Sequence, residues 1–444
     1  MRSIISITIL TFREAIRSKL AIAVAVALIL IVGGMPFVMK GDGSGEGLAQ
    51  TLTYYTLILS TIFLFTTALW ASAAAISSEA KSRTLQLARV KPLKMWRFWL
   101  GKWIGLNALF GFFLILTLLG VWLRINSLES HRIAYAKIPP VLPSIDEQIE
   151  KTIQEEIKSG SVTTKEGLRE LRRQLRNQVP YATIDLEPGG KWLWRFNTDK
   201  PIDAKRPVAL LVTFSSDSYS STPLSASCYL RDVAKTGSNA PKPPTFQISN
   251  FTSREMRIKI PSESLVGGNQ LELGIAHTGN EKSSPIMLQP RQGLFLLRPA
   301  ATLEENLLRT FLAMLPILSL LIAIGLTFGA LFSLPVALFT ATGLIIAVFT
   351  ASYVISDPDG LDFSEIPNQT PLYAMNTKLA SVTTRSLHKL SYSAVTPTPI
   401  QNLANCVLIP NSEIVESIKW NGILLPFILM ICSSFTMSRK ELPE

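Results

Sequence analysis

The residue types that could do chemistry are concentrated in one short charged segment, residues 78–102. A single carboxylate, Glu79, lies there among seven Lys and Arg side chains. Gly101-Lys102 at its end does not form a phosphate-binding loop, because GxxxxGK[ST] requires Gly at 96 and Ser or Thr at 103. The chain has Trp96 and Trp103 at those positions. The sequence therefore predicts that this chain does not hydrolyse ATP.

Patterns typical of other catalytic or metal sites are missing from the sequence. Neither H-E-x-x-H nor G-x-S-x-G occurs. Cys228, Cys406 and Cys432 match no zinc-ligand spacing. Two separate thiols are favoured for the first two, with a Cys228–Cys406 disulfide as the alternative. Four acidic residues after position 356 lack the spacing of a calcium loop: Asp357, Asp359, Asp362 and Glu365. We therefore predict no catalytic residue, metal or cofactor in this chain.

Apolar stretches on both sides of the charged segment are long enough to cross a membrane. Hydrophobic residues make up 48% of the chain, and 47 consecutive residues, 310–356, contain no Asp, Glu, Lys or Arg. One membrane-spanning helix needs only about 20. Ser333-Leu334-Pro335 is expected to divide that run into two helices. Six spans are predicted, at 20–39, 52–77, 103–123, 310–332, 334–355 and 420–437.

Basic residues in the short connectors predict the orientation of these spans, because cytoplasmic loops are enriched in Lys and Arg. Residues 1–20 contain four basic and one acidic residue, and 78–102 seven and one. Both segments and both chain ends are therefore predicted to face the cytoplasm of a bacterium, across its inner membrane. Topology alone explains this basic excess, so no nucleic-acid partner is predicted.

Two cytoplasmic helices are expected. Residues 3–18 carry apolar side chains on one face and predict an amphipathic helix at the membrane surface. In the charged segment, Ser78 followed by Glu79 can begin a short helix, and Pro92 must end it. Such a helix, held between two spans, could transmit a push made in the cytoplasm. Three aromatic residues that follow are expected at the level of the lipid headgroups: Trp96, Phe98 and Trp99.

Four short elements occur along the charged segment: Glu79, Arg83-Thr84-Leu85, Lys91-Pro92 and Gly101-Lys102. In these residues the segment resembles the cytoplasmic loop of export-type (type 2) permeases of ATP-binding cassette (ABC) transporters. The amphipathic amino-terminal helix, the six spans and the tail, residues 438–442, are also similar to that family. The resemblance implies that the segment docks on a separate ATPase subunit, which binds ATP and Mg, and that two permease chains form a homo- or heterodimer. It implies ATPase-coupling roles for Glu79, Arg83, Thr84, Leu85, Lys91 and Pro92.

Residues 125–304 have the composition of a soluble domain inserted between the third and fourth spans. A proline-rich linker precedes two predicted helices, 144–158 and 164–178, which would form a hairpin. Beyond Lys191 the hydrophobic period changes to two, which predicts an antiparallel β-sandwich. Its predicted strands include 208–214, 226–230, 246–249, 256–260, 271–275 and 293–298.

Trp192 and Trp194 alternate with polar residues at the start of this region, on one face with Phe196. Packing in the core is the favoured interpretation of the two indoles. Stacking on a sugar or another ligand is the alternative, because aromatic platforms on sandwiches often bind glycans.

The predicted fold class is an α-helical polytopic membrane protein with an extracytoplasmic domain made of a helical hairpin and a β-sandwich. The resemblance predicts a permease subunit that couples ATP hydrolysis to export or to mechanical work on extracytoplasmic partners. The alternative is a membrane-anchored binding or scaffold protein that recognises an envelope glycan or a periplasmic protein. Membrane lipid is a partner in either case. The predicted parts are a cytoplasmic amphipathic helix (1–19), the first three spans with the charged segment (20–124), an extracytoplasmic linker and helical hairpin (125–190), the β-sandwich (191–304), the fourth and fifth spans (305–355), an extracytoplasmic loop (356–419), the sixth span (420–437) and a cytoplasmic tail (438–444).

Overall fold

The computed structural model describes most of the chain, and it divides the protein into two compact units. The first unit is Met1–Ala134 with Ala301–Glu444, and the second is Tyr135–Ala300. The described residues are 2–39, 45–81, 94–126, 133–159, 165–179, 182–198, 200, 202, 207–216, 224–233, 245–250, 255–260, 269–279, 284–354 and 398–439.

The helices belong mainly to the first unit, and α5 and α6 belong to the second. In chain order they are α1 (Arg2–Arg17), α2 (Lys19–Val38), α3 (Gly45–Lys81), α4 (Met95–Ile125), α5 (Ile145–Lys158), α6 (Lys165–Gln178), α7 (Leu303–Leu331), α8 (Leu334–Val354), α9 (Thr398–Ala404), α10 (Asn411–Ser417), a π-helical segment (Ile418–Leu424) and α11 (Leu425–Arg439).

Within the described residues, five helical stretches are long enough and apolar enough to cross a membrane. They are Lys19–Val38, Gly47–Glu79, Met95–Ile125, Leu303–Leu331 and Asn411–Ser438. The protein is therefore a multi-pass membrane protein, as its composition predicts. The remaining predicted span, 334–355, coincides with α8, in which the apolar stretch Leu334–Val348 is shorter than the other five. A sixth crossing stays a prediction.

The predicted loop 356–419 contains regular structure in its last part. Helices α9 and α10 lie there, and the last span begins at Asn411 instead of residue 420. Prolines do not prevent this, because Pro399 occupies the first turn of α9 and Pro410 directly precedes α10. The amide of Asn306 in α7 holds the connection, donating to Val407 O and accepting from Ile409 N. The acidic residues 357–365 lie outside the described residues.

Helices α3 and α7 cross in very close contact. A Cβ built on Gly325 would lie 2.7 Å from Leu69 O, and one on Gly329 would lie 3.0 Å from Ala73 Cα. Glycine at these two positions, one turn apart, lets the two backbones approach each other. α7 is the most buried of the five spans. This crossing therefore sets the spacing at the centre of the membrane unit.

The second unit contains helices α5 and α6 where the hydrophobic stripe predicts them. Ser144 and Glu147 form a capping box at the start of α5, with both hydrogen bonds made. Arg172 of α6 pairs with Glu150 of α5. The two helices are therefore neighbours, as expected of a hairpin. In the sequence, Thr163 and Glu166 have the spacing of a second capping box, and Thr163 lies outside the described residues.

Among the residues that the structure describes here, ten strands form two antiparallel sheets. One sheet has the order β1-β10-β4-β9-β2, with β7 also paired to β4, and the other has the order β3-β8-β5-β6. Seven of the strands coincide with predicted ones, and β1, β2 and β9 are additional. Their bounds are β1 Ile133–Ile138, β2 Ile184–Leu186, β3 Lys191–Asn197, β4 Val208–Ser215, β5 Leu224–Asp232, β6 Thr245–Asn250, β7 Glu255–Ile260, β8 Gln270–His277, β9 Ile286–Leu288 and β10 Leu294–Thr302.

Side chains from both sheets pack into one hydrophobic core. Phe196, Phe214 and Leu273 are fully buried there, and each comes from the inward face of its strand. Burial of a large apolar side chain contributes about 1.5–3 kcal/mol. An antiparallel β-region with its own core is thus confirmed, and the sandwich arrangement stays a prediction.

Candidate functional site

An ion pair joins the two ends of the charged segment. Lys102 Nζ lies 2.7 Å from Glu79 Oε1, and the two side chains are 4% and 28% exposed. Lys102 also donates to the carbonyl oxygen of Ala75 at 3.0 Å. Its ammonium group lies 5.2 Å from the centre of the Phe98 ring, within the range of a cation–π contact. The last turn of α3 and the first turns of α4 are therefore bound to each other.

The helices reach further into the charged segment than the sequence predicts. Ser78 does not begin a new helix, because α3 continues to Lys81 and the Ser78 hydroxyl donates to Ala74 O at 2.6 Å. α4 begins at Met95, so Lys102 lies inside a candidate span. Lys102, which precedes the predicted span 103–123, is therefore a buried charged residue within the observed helical stretch. An ammonium group tolerates this position because a carboxylate, a carbonyl and a ring compensate its desolvation.

Two of the three aromatic residues before the predicted third span pack inside the helix bundle. Phe98 and Trp99 are buried in the helix bundle, and only Trp96 is exposed. The Trp99 and Trp103 rings stack with centroids 6.1 Å apart. Trp103 Nε1 donates to Ser319 O of α7 at 3.1 Å. Phe98 and Trp99 therefore pack inside the bundle, and the placement of the three aromatic residues at the level of the lipid headgroups stays a prediction.

Gly101 and Gly105 form the surface of α4 on which α1 packs. A Cβ on Gly101 would lie 2.8 Å from Ile7 Cβ, and one on Gly105 would lie 3.0 Å from Thr8 O. Thr8 Oγ1 donates to Gly101 O at 3.2 Å. The dipeptide Gly101-Lys102 thus has two structural roles. Helix α1 packs closely against Gly101, and Lys102 pairs with Glu79.

We expect Gly101→Ala to loosen α1 from α4 and to cost about 1–3 kcal/mol, the usual penalty for overpacking. Gly33→Ala is the matched control, because a Cβ there meets nothing within 4 Å. Hydrogen exchange of the α1 amides and the thermal midpoint in detergent measure the effect. Equal behaviour of the two variants would show that the close contact is unimportant.

A cavity of about 710 Å³ adjoins the ion pair, between α1, α2, α3 and α4. Glu79, Lys102 and Glu14 line it, together with the hydroxyl groups of Ser18 and Ser78. The sequence gives no signal for Glu14. For Glu79 and Lys102 the sequence does give a signal, because they are the charged residues at the two ends of the segment between two spans.

No known protein family matches the chain, and no curated protein matches it either.

The other residues predicted to couple to an ATPase are Arg83, Thr84, Leu85, Lys91 and Pro92, and all five lie outside the described residues. Of that predicted set the structure describes Glu79 alone. Its carboxylate points to Lys102 within the same chain. Glu79 is therefore suited to position the segment.

None of the three cysteines forms a disulfide. Cys228 is buried in the core of the second unit, and burial raises the pKa of its thiol to about 11. A thiol with so high a pKa is a poor nucleophile at neutral pH. Cys406 belongs to the first unit, so the interpretation as separate thiols agrees with the structure.

Trp192 and Trp194 differ in burial although they lie on one face of β3. Trp194 is 6% exposed and belongs to the core, whereas Trp192 is 40% exposed. The two rings stack at 6.3 Å, and Trp192 Nε1 donates to Asp185 O at 3.3 Å. Core packing is therefore confirmed for Trp194. Trp192 retains a surface that could stack on a ligand.

Trp194→Ala should destabilise the second unit by about 3–5 kcal/mol, because it empties a large core site. Trp192→Ala should cost about 1 kcal/mol, since much of that ring already contacts solvent. Near-ultraviolet circular dichroism during thermal unfolding of the whole protein measures both. An equally large loss in the two variants would contradict this division of roles.

Proposed function

We propose that the chain is the membrane-spanning subunit of an ABC transporter of the export type. The observation that carries the proposal is the Glu79–Lys102 ion pair, which fastens the ends of α3 and α4 on both sides of the charged segment. A force applied to that segment would reach both helices together. The proposed subunit couples ATP hydrolysis by a partner to export or to work on extracytoplasmic partners.

α1 is the second part of this coupling apparatus. It packs on Gly101 and Gly105, on either side of the turn that carries Lys102. Movement of the charged segment would therefore displace α1, α3 and α4 together. In this proposal Glu79 is a positioning residue, and the direct contacts with the ATPase fall to Arg83, Thr84, Leu85, Lys91 and Pro92.

The proposed arrangement includes six spans, with α8 as the fifth. Both chain ends and the charged segment face the cytoplasm of a bacterium, and the second unit lies outside as a β-sandwich with a helical hairpin. The positive-inside pattern supports this orientation. A second permease chain completes the pathway. ATP and Mg would bind to the partner ATPase and not to this chain.

A detergent pull-down of the tagged chain from its native host tests the proposal. We expect a stoichiometric ATPase among the bound proteins, identified by mass spectrometry and by activity. An intact, folded chain that brings down no ATPase would contradict the proposal.

The contribution of single residues to ATPase coupling is tested on the purified complex of the chain with its partner ATPase. Glu79→Ala with Arg83→Ala should uncouple ATPase activity without loss of membrane insertion. Glu305→Gln is a matched control, because its partner Arg309 lies one turn away on α7 and the Glu305 side chain is 48% exposed. Unchanged coupling in the double variant would contradict the proposed role of the segment.

A membrane-anchored binding or scaffold protein is the second candidate. The exposed faces of Trp192 and Leu193 on β3, an edge strand, support it. Aromatic side chains with one open face are common in ligand-binding surfaces. In that case Trp192→Ala would abolish binding to an envelope glycan or protein, and no ATPase would co-purify.

A further inference from the structure

The cavity beside the ion pair has a polar end and a long apolar end. Glu14, Ser18, Ser78, Glu79 and Lys102 lie at the ends of α1, α3 and α4 that approach the charged segment. The wall farther along the helices is apolar, and includes Val24, Trp70, Leu106, Leu109, Phe110 and Phe113. The volume of the whole cavity, about 710 Å³, falls within the range of roughly 300–1,000 Å³ that is usual for ligand pockets. The site therefore fits an amphiphile.

The length of the cavity matches one leaflet of a bilayer. Its lining residues on α4 extend from Phe98 to Phe113, a rise of about 22 Å at 1.5 Å per residue. One leaflet measures about 15 Å of hydrocarbon with about 5–7 Å of headgroup region. α2, α3 and α4 are candidate spans, so the apolar end is at the depth of the acyl chains.

The charges at the polar end favour a zwitterionic headgroup. Two carboxylates, Glu14 and Glu79, and one ammonium group, Lys102, line the cavity. The ion pair uses Glu79 and Lys102. Within the part of the chain that the structure describes, Glu14 has no salt-bridge partner, which leaves one negative charge. Arg17 and Lys19 flank Ser18 at the cavity and are exposed, so they could approach a phosphate.

We propose that this cavity binds one phospholipid whose headgroup carries a primary ammonium group, as in phosphatidylethanolamine. The ammonium group donates to Glu14, the phosphate lies near Arg17 and Lys19, and one acyl chain packs along α4 to Phe113. Neither an ATPase nor transport is required for this site, so the inference is independent of the proposed function.

Native mass spectrometry of the delipidated full-length protein tests the site. Phosphatidylethanolamine, phosphatidylcholine and phosphatidylglycerol with identical acyl chains are titrated separately. We expect one phosphatidylethanolamine to bind about tenfold more tightly than either of the others, because only its headgroup donates charged N–H bonds to a carboxylate. Equal affinities for the three lipids would overturn the proposal.

Two cavity variants and one control sharpen the test. Glu14→Gln keeps the side-chain shape on an exposed helix face and should weaken phosphatidylethanolamine binding about fivefold to tenfold, which removes the preference. Leu109→Trp fills the apolar end and should abolish binding of the lipid with Glu14 intact. Glu416→Gln, an exposed carboxylate of α10 that does not line the cavity, should change nothing.

A soluble headgroup separates a lipid site from an amine site. Glycerophosphoethanolamine at millimolar concentration should not displace the bound lipid, because it has no acyl chain to fill the apolar wall. Displacement at concentrations comparable to the lipid would overturn the lipid assignment. So would unchanged phosphatidylethanolamine affinity in folded Glu14→Gln protein.

Discussion

Glu79→Gln is expected to destabilise the membrane unit by about 3 kcal/mol. The substitution leaves the ammonium group of Lys102, which is 4% exposed, without a counter-charge in an apolar bundle. Breaking a buried ion pair from one side costs about 3–5 kcal/mol. The lower end applies because Glu79 is itself 28% exposed. Thermal unfolding in detergent, followed by size-exclusion chromatography, measures the loss.

A second substitution shows whether the destabilisation comes from the unpaired charge of Lys102 or from the changed shape of the side chain at position 79. Glu79→Gln combined with Lys102→Met should recover most of the stability, because the double variant contains no uncompensated buried charge. Glu305→Gln, at a partly exposed i,i+4 pair of α7, should cost no more than about 0.5 kcal/mol. A double variant less stable than Glu79→Gln alone would refute the view that the pair compensates a buried charge.

Gly329→Ala should lower the stability of the membrane unit by several kcal/mol, although alanine is the better helix former by about 1 kcal/mol. The added methyl group would overlap Ala73 O and lie 3.0 Å from Ala73 C. Backbone atoms of α3 cannot turn aside as a flexible side chain could. The helices must separate, and their packing is lost over the whole crossing.

Gly343→Ala provides the matched control for this prediction. Gly343 lies in α8, and a Cβ there meets nothing within 4 Å. Its substitution should be neutral or slightly stabilising, as expected from helix propensity alone. Midpoints of thermal unfolding for the two variants in the same detergent give the comparison. A destabilisation of equal size at both positions would contradict the proposed close crossing.

Patterns long enough to show a period were predictable from the sequence. The alternation at Trp192, Trp194 and Phe196 predicts β3, and the α5 stripe predicts its helix. Strands β2 and β9 have three residues each, too few to show a period of two. The helices in 398–417 were missed because seven-residue helices bordered by prolines look like a loop.

At the candidate site, the residue types were predictable and their roles were not. Glu79, Gly101 and Lys102 were recognised by type and spacing. That Lys102 is buried against Glu79 depends on how far α3 and α4 extend beyond their apolar cores, which hydropathy does not report. Glu14 could not be found at all. Its position depends on the packing of α1 on α4, which a single amphipathic stripe cannot specify.

The first and last strands of the larger sheet, β1 and β10, are hydrogen-bonded neighbours. This pairing brings the two ends of the inserted region close together. Domains whose ends are close together tolerate transplantation into another host. The ends of the inserted region are thus held at a short distance by strand pairing, the geometry expected of a segment that interrupts a chain between two consecutive helices.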